Sequence, residues 1–202
     1  MSYPTKRLRR LRISEKMRDL VQETRLSPKD FICPVFVQED LKERVKVESM
    51  TEIERLPIED INDEVQTIID LGIPAIMLFG IPTQKDEAGT SAFEDNGIVQ
   101  RAISQIKEKF GDKIVIMADV CLCQFTSTGH CGIISGDKID NDISLDTLSK
   151  IAVSLAKSGV DTVSPSAMMD GQVAAIRKAL DEKGYTDVSI MSHSAKHRSN
   201  FY

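Results

Sequence analysis

The sequence predicts an α/β protein in which short apolar strands alternate with amphipathic helices along a parallel sheet. Three features predict this fold class: apolar runs of strand length recur, helical stripes of apolar residues lie between them, and glycines follow the helices at positions 72, 111, 159 and 184. Glycine readily adopts the left-handed conformation that ends many helices. The next apolar run begins within a few residues of each glycine, and such short returns are typical of β/α units.

The first half of the chain contains two predicted strands and two predicted helices. Residues 31–38, FICPVFVQ, form the first strand, because they are a short apolar run. A helix follows at 62–71, with its apolar residues on one face, and residues 73–80 form the second strand. The next helix covers 97–110, and its apolar stripe consists of Val99, Ala102, Ile103, Ile106 and Phe110.

The same alternation continues through the second half. Residues 113–122 form the third strand, and a helix with one apolar face follows at 145–158. The fourth strand covers 160–166, the last helix covers 171–183, and the fifth strand covers 187–196. The sequence therefore predicts between four and five β/α units.

The connections favour a barrel over a nucleotide-binding sheet. The segments that lead from strand to helix are long, notably 81–96 and 123–144, and long loops at the carboxyl ends of parallel strands are where sites are usually built. No strand is followed by G-x-G-x-x-G or by a P-loop, so a doubly wound nucleotide-binding sheet is disfavoured. A (β/α)8, or TIM, barrel is favoured instead.

A complete barrel typically takes about 250 residues, more than the 202 available. We therefore expect an N-terminal arm at 1–28 and a partial barrel at 29–202. The first and fifth strands would be left as unpaired apolar edges, which promote aggregation. For this reason we favour a fragment of a longer protein over a complete domain.

Charge is unevenly distributed along the chain. The net charge is −5, but residues 1–26 hold eight Lys or Arg and only three Asp or Glu. A basic arm on an acidic body could bind nucleic acid. The alternative is an arm that lies on an acidic surface of the same or a neighbouring subunit. Because only the arm is basic, we expect no nucleic-acid partner.

The sequence indicates a cytoplasmic protein without a membrane anchor. No apolar stretch and cleavage site follow the charged N-terminus MSYPTKRLRRLR, as a secretory signal would require. The longest apolar run, 73–82, is too short to span a bilayer. Three of the four cysteines lie within residues 121–131, which does not resemble a secreted disulfide framework.

Three of these cysteines have the spacing of a metal site. Cys121, Cys123 and Cys131 follow the pattern C-x-C-x7-C at the end of the third strand. In an extended strand alternate residues share a face, so Asp119, Cys121 and Cys123 should point the same way, and the loop returns Cys131 to them. Three thiolates suit a tetrahedral zinc ion and leave a fourth position open to water or substrate, as in catalytic sites. The alternative is a group of inert or redox-active cysteines.

The fourth cysteine and the neighbouring histidine have different interpretations. His130 could serve as a ligand or as a hydrogen-bond donor to one. Cys33 lies in an apolar strand and is predicted to be a core residue.

A lysine near the end of the fifth strand is a candidate nucleophile. In SIMSHSAKH, Ser192, Ser194 and Lys196 alternate onto one face, with Lys196 at the carboxyl end. Burial and a nearby cation lower the pKa of a lysine, and a neutral amine can attack a ketone to form a Schiff base. Most lysines at strand ends are simply solvated, but a metal site at the same edge favours the catalytic interpretation.

Six blocks of the sequence resemble the δ-aminolevulinic acid dehydratase family, in the same order as in that family. They are RLRRLR, LSPKDFICPVFV, GIPAIMLFGIP, DVCLCQFTSTGHCG, PSAMMDG and SHSAKHRSNFY, and together they extend over essentially the whole chain. The cysteine block is the most specific and indicates the zinc-dependent branch. The resemblance implies a TIM barrel with an N-terminal arm that embraces a neighbouring subunit, usually within a homo-octamer. It also implies a lyase of heme biosynthesis that condenses two 5-aminolevulinate molecules into porphobilinogen with loss of two waters.

The resemblance also implies roles for individual residues. It makes Cys121, Cys123 and Cys131 the zinc ligands and places Asp119 and His130 in the metal environment. An additional Mg²⁺ is left open.

For the substrate, the resemblance implies that Ser166 makes a contact and that Lys196 is the first of two lysines that form Schiff bases. Tyr202 corresponds to a substrate-site tyrosine. Asp119 and Ser166 would act as polar groups that position the substrate beside Lys196.

The chain departs from the family pattern in three respects. Ala167 replaces the usual aspartate of PSDMMDG, and His193 replaces the usual tyrosine of SYSAK. The sequence also stops before the strand that carries the second lysine. The alternative expectation is therefore a catalytically incomplete zinc-binding fragment or remnant of the enzyme.

Overall fold

Strands and helices alternate through most of the structure, which is a computed structural model that describes residues 2–194. The strands are β1 (Ile32–Gln38), β2 (Val45–Lys46), β3 (Glu54–Leu56), β4 (Ala75–Ile81), β5 (Val115–Val120), β6 (Ile134–Ser135), β7 (Lys138–Ile139), β8 (Thr162–Pro165) and β9 (Ser189–Ile190). The helices are α1 (Glu15–Leu20), α2 (Ile61–Asp70), α3 (Ile98–Phe110), α4 (Asn141–Lys157) and α5 (Gln172–Glu182).

Seven strands form one mostly parallel sheet in the order β2-β3-β1-β4-β5-β8-β9. Every pair within it is parallel except β2 with β3, which is antiparallel. The predicted α/β class is therefore confirmed. Residues 2–194 form an open sheet and not a closed barrel.

The expectation that the first strand is an unpaired edge was wrong. Strand β3 pairs with β1 in parallel, with Phe36 opposite Arg55 and Val37 opposite Leu56. Strand β3 consists of only three residues, ERL. It is too short and too polar to show the alternation of apolar residues from which a strand is predicted. Its conformation comes from the tertiary pairing with β1, which no local pattern predicts.

The two faces of the sheet differ in how well they are covered. Alternate residues of the central strands point to the helices and are fully buried, including Val37, Leu78 and Ile116. On the opposite face Phe36 and Phe79 are half-buried and stack with their ring centroids 4.9 Å apart. The core therefore lies between the sheet and helices α2 to α5.

Two element boundaries differ from the prediction because of local hydrogen bonds. Helix α4 begins at Asn141, not at 145, because the Asp140 carboxylate accepts a hydrogen bond from the Ile143 amide at 3.0 Å and caps the helix. Strand β5 ends at Val120, not at 122, because a turn closes immediately afterwards. Strand β9 covers only Ser189–Ile190 of the predicted 187–196, and residues 195 and 196 lie outside the described part of the chain.

The N-terminal segment lies apart from the core. Residues 2–26 are exposed except for the half-buried Met17, and Leu8, Ile13 and Leu20 each expose about three quarters of their surface (75%, 77% and 74%). Helix α1 lies in this segment and is capped by the Ser14 side chain. In residues 2–194 no helix combines the length and the apolar character that crossing a membrane requires.

Candidate metal and substrate site

A carboxylate and a hydroxyl meet at the carboxyl edge of the sheet. Strand β5 carries Asp119, which lies opposite Ser164 of β8, and Ser166 follows the end of β8. The Ser166 hydroxyl donates a hydrogen bond to the Asp119 carboxylate at 2.5 Å. Parallel strands bring their carboxyl ends to one edge, so residues 47 positions apart in sequence are joined directly.

The cysteine loop begins at the same edge. After Val120 the chain turns, and the Leu122 carbonyl accepts hydrogen bonds from the amides of Phe125 and Thr126, each at 2.9 Å. This turn, and not the alternation of an extended strand, brings the Cys123 sulfur to within 3.5 Å of the Cys121 sulfur. The structure thus corrects the predicted route by which these two side chains meet.

The third cysteine returns to the first two, as the spacing predicts. The Sγ atoms of Cys121, Cys123 and Cys131 all lie within 4.8 Å of one another. Cys121 is 2% exposed, and the other two are half-buried. Three soft sulfur donors at such distances can bind one thiophilic ion such as Zn²⁺, with a further position available to a fourth ligand.

Clustering and burial oppose ionisation of the Cys121 and Cys123 thiols. Hydrogen bonds to Cys121 and then to Cys131 raise the pKa of Cys123 far above its ordinary value of 9.0, and burial raises it further. The pKa of Cys121 is also raised: its bond with Cys123 lowers it, but the bond with Cys131 and burial outweigh that effect. A divalent cation would provide the positive charge that three adjacent thiolates need.

The histidine beside the cluster is not brought into it. The side chain of His130 is exposed, and the group of ligand atoms within 4.8 Å, searched over residues 2–194, comprises the three cysteine sulfurs alone. The structure therefore does not support His130 as a ligand. Cys33 is half-buried against the core, as expected for a residue of β1, and is not in the group.

A second long loop supports the cysteine loop. Asp86, in the loop after β4, forms an isolated parallel bridge with Thr126, and its carbonyl accepts a hydrogen bond from the Ser127 amide at 2.9 Å. On the other side, the buried Ser144 hydroxyl of α4 accepts a hydrogen bond from the Ile133 amide at 2.9 Å. Sequence reasoning missed these supports because single side chains bonded to loop backbone leave no periodic signal.

Two of the predicted substrate residues, Lys196 and Tyr202, lie outside the described residues. The chain that leads to them runs beside β8: the Met191 amide donates to the Val163 carbonyl at 3.0 Å, and the His193 amide donates to the Pro165 carbonyl at 3.1 Å. Up to residue 193 the chain is therefore directed to the edge that holds Ser166.

A thiol cluster and a carboxylate–hydroxyl pair lie at the carboxyl edge of a parallel sheet. They define the class: an α/β protein with a candidate metal site at that edge. A family model described as delta-aminolevulinic acid dehydratase matches residues 5–202. The chain belongs to the delta-aminolevulinic acid dehydratase family.

Relatives of known name agree with this assignment. The chain is 48% identical to delta-aminolevulinic acid dehydratase of Bacillus subtilis over 202 residues, which are 100% of this chain and 62% of the relative. It is 51% identical to the enzyme of the same name from Halalkalibacterium halodurans over 197 residues, which are 98% of this chain and 60% of that relative. The chain therefore spans about three fifths of the length of these relatives.

A solved structure has the same fold. It is the crystal structure of delta-aminolevulinic acid dehydratase (porphobilinogen synthase) from Toxoplasma gondii in complex with the reaction product porphobilinogen. The TM-score is 0.93 at 40% identity, and the match covers 98% of this chain and 56% of that one.

Proposed function

We propose that the full-length protein is a porphobilinogen synthase, which condenses two molecules of 5-aminolevulinate into porphobilinogen and releases two waters. The observation that carries this proposal is the convergence of three cysteine sulfurs within 4.8 Å, at the sheet edge where Ser166 bonds to Asp119. Family membership over residues 5–202 supplies the reaction.

Zinc is the metal we assign to the cysteine cluster. The donor set fits it: all three ligand atoms are sulfur, which Zn²⁺ accepts readily and Mg²⁺ does not. Cys121, Cys123 and Cys131 would hold the ion, which when bound would supply Lewis acidity at the substrate.

The chain's own residues orient and attack the substrate. Asp119 and Ser166 are already joined by a hydrogen bond, so their oxygens present a fixed pair of polar groups to a bound amino acid. The amine of Lys196 attacks the ketone carbon of one 5-aminolevulinate. The carbonyl oxygen leaves as water, and a carbon–nitrogen double bond joins lysine and substrate. Tyr202, which corresponds to a substrate-site tyrosine of the family, is assigned a contact with the substrate.

The fold and assembly of the full-length protein extend the same proposal. Residues 29–202 form part of a TIM barrel, supported by the sequential parallel order of β1, β4, β5, β8 and β9. The less covered face of the sheet, which carries the Phe36–Phe79 stack, then points to the barrel interior. The arm, residues 1–28, embraces a neighbouring subunit of a cytoplasmic homo-octamer, which would cover its exposed leucines and isoleucine.

Two measurements on the full-length protein test the proposal. Elemental analysis should find about one zinc per subunit in this kind of site, and the zinc should be lost in Cys131→Ser but kept in Cys33→Ser, the matched control. Borohydride reduction with 5-aminolevulinate should trap an adduct on the peptide that contains Lys196. Zinc without any trapped adduct or turnover would identify a zinc-binding remnant instead, and the absence of both would reject the assignment.

A further inference from the structure

The third sulfur of the cluster depends on a loop that must be held in place. Seven residues separate Cys123 from Cys131, and those at 127–130 are all exposed. An exposed loop of this length has many conformations, and fixing one costs free energy. The position of Cys131 therefore requires specific contacts within the loop.

Thr126 is the buried residue at the start of this exposed segment. It is 1% exposed, and its hydroxyl lies 3.0 Å from the His130 carbonyl oxygen and 3.2 Å from the Leu122 carbonyl oxygen. A hydroxyl has one proton to donate, so the two carbonyls share it. Leu122 also accepts two backbone amides, each at 2.9 Å, so its carbonyl has partners without the hydroxyl.

The bond to His130 acts on the third sulfur directly. The His130 carbonyl belongs to the peptide unit whose nitrogen is that of Cys131, so holding this oxygen orients the Cys131 backbone. Thr126 is itself held from outside the loop by its bridge to Asp86 and by the hydrogen bond from Ser127 to Asp86. The loop after β4 therefore fixes Thr126, and the Thr126 hydroxyl in turn fixes the peptide unit that leads into Cys131.

We infer that Thr126 is a positioning residue for Cys131. The hydroxyl of Thr126 sets the affinity of the three-sulfur site for zinc. The inference rests on the proposed zinc site and adds a determinant of its affinity outside the ligands. Groups that orient metal ligands through hydrogen bonds typically change metal affinity by about 10- to 100-fold when removed. Thr126 acts through the backbone and so belongs to this class.

The test compares three variants of the full-length protein. Thr126→Val keeps the shape and removes the hydroxyl, and Thr126→Ser keeps the hydroxyl and removes the methyl. Thr147→Val is the matched control, because Thr147 is also buried (8% exposed) and its hydroxyl also bonds to a backbone carbonyl, that of Ile143 within α4. Zinc affinity is measured by competition with a chromophoric chelator, and the absorption spectrum of the Co²⁺-substituted protein reports the ligand geometry.

Thr126→Val should bind zinc at least about 10-fold more weakly and change the Co²⁺ spectrum, while Thr126→Ser and Thr147→Val stay close to the wild type. Equal affinities of Thr126→Val and wild type would overturn the inference, as would an equal loss in Thr126→Ser or Thr147→Val. Circular dichroism of the metal-free variants separates a local effect from unfolding. If Thr126→Val is unfolded, the zinc affinity of Thr126→Ser is the test: an affinity close to that of the wild type supports the inference, and a loss overturns it. Failure of the wild type to bind zinc would instead reject the proposed zinc site itself.

Discussion

Replacing Gly80 by alanine should destabilise the contact between β4 and α3. A Cβ at Gly80 would lie less than 3.0 Å from Val99 Cγ2, 3.0 Å from Ile98 Cγ2 and 3.6 Å from Phe125 Cζ. Carbon atoms at optimal separation are about 3.5–4.0 Å apart, so the new methyl overlaps the first turn of the helix. Gly80 does not have a positive φ, and alanine therefore adds no backbone strain.

The size of the loss in stability depends on whether the side chains around Gly80 can move away from the new methyl group. Val99 is 6% exposed, and a valine in a helix has one strongly preferred side-chain rotamer, so it cannot simply rotate away. The helix or the strand must shift, and overpacking of this kind typically costs about 1–3 kcal/mol. Because the overlap involves two stiff side chains, we expect a loss of about 2–3 kcal/mol in the free energy of unfolding, near the top of that range.

A double-mutant cycle with Val99→Ala isolates this overlap. The variant Val99→Ala removes the atom that lies nearest to the new methyl, so Gly80→Ala should cost at least about 1 kcal/mol less in that background. Urea denaturation followed by circular dichroism measures all four proteins. If Gly80→Ala is as stable as the wild type, or costs the same in both backgrounds, the steric reasoning is wrong.

Three further predictions concern other parts of the chain. Asp161→Ala should lower the free energy of unfolding by about 1–3 kcal/mol in urea denaturation, because the Asp161 carboxylate accepts hydrogen bonds from the Ile116 amide and the Lys107 ammonium, each at 2.7 Å. Asp161→Asn keeps an acceptor and should lower it less. An equal loss in the two variants would contradict this reasoning. In metal-free protein the raised pKa of Cys123 should make stability fall as the pH rises above 9.0, since the unfolded chain releases the thiol proton there while the folded chain retains it. Urea denaturation below and above that pH checks the sign, and zinc should abolish the fall because bound thiolates have already lost their protons. Removal of the arm, residues 1–28, should lower the assembly state in light scattering without changing retention on nucleic acid; a salt-sensitive loss of retention would show that the arm binds nucleic acid.

The helices were predictable where an apolar stripe ends at a glycine. Helices α2, α3 and α5 begin and end within one or two residues of the predicted 62–71, 97–110 and 171–183. Helix α4 begins four residues earlier than predicted because Asp140 caps it. An aspartate in an acidic, polar stretch does not reveal which of its neighbours it will cap.

The convergence of the three cysteines was predictable from the sequence, but the contacts that hold them in place were not. The spacing of the three cysteines predicts that their sulfurs converge, and the structure brings them within 4.8 Å. The turn at Leu122 and the buried hydroxyls of Thr126 and Ser144 did not follow from the sequence, because serine and threonine bond to loop backbone in many patterns. Only the tertiary structure shows which carbonyl and amide groups they hold.

The cysteine cluster is therefore shaped by contacts between loops more than by the sheet itself. The sheet edge fixes Cys121, the residue next to the end of β5, but Cys131 is held between two further supports. Thr126 bonds to the carbonyl before it, and Gly132 after it lies so close to α4 that a Cβ there would be 2.9 Å from the Ser144 hydroxyl. Changes at these supports should alter metal affinity more than global stability, because they shift one ligand while the core between sheet and helices stays intact.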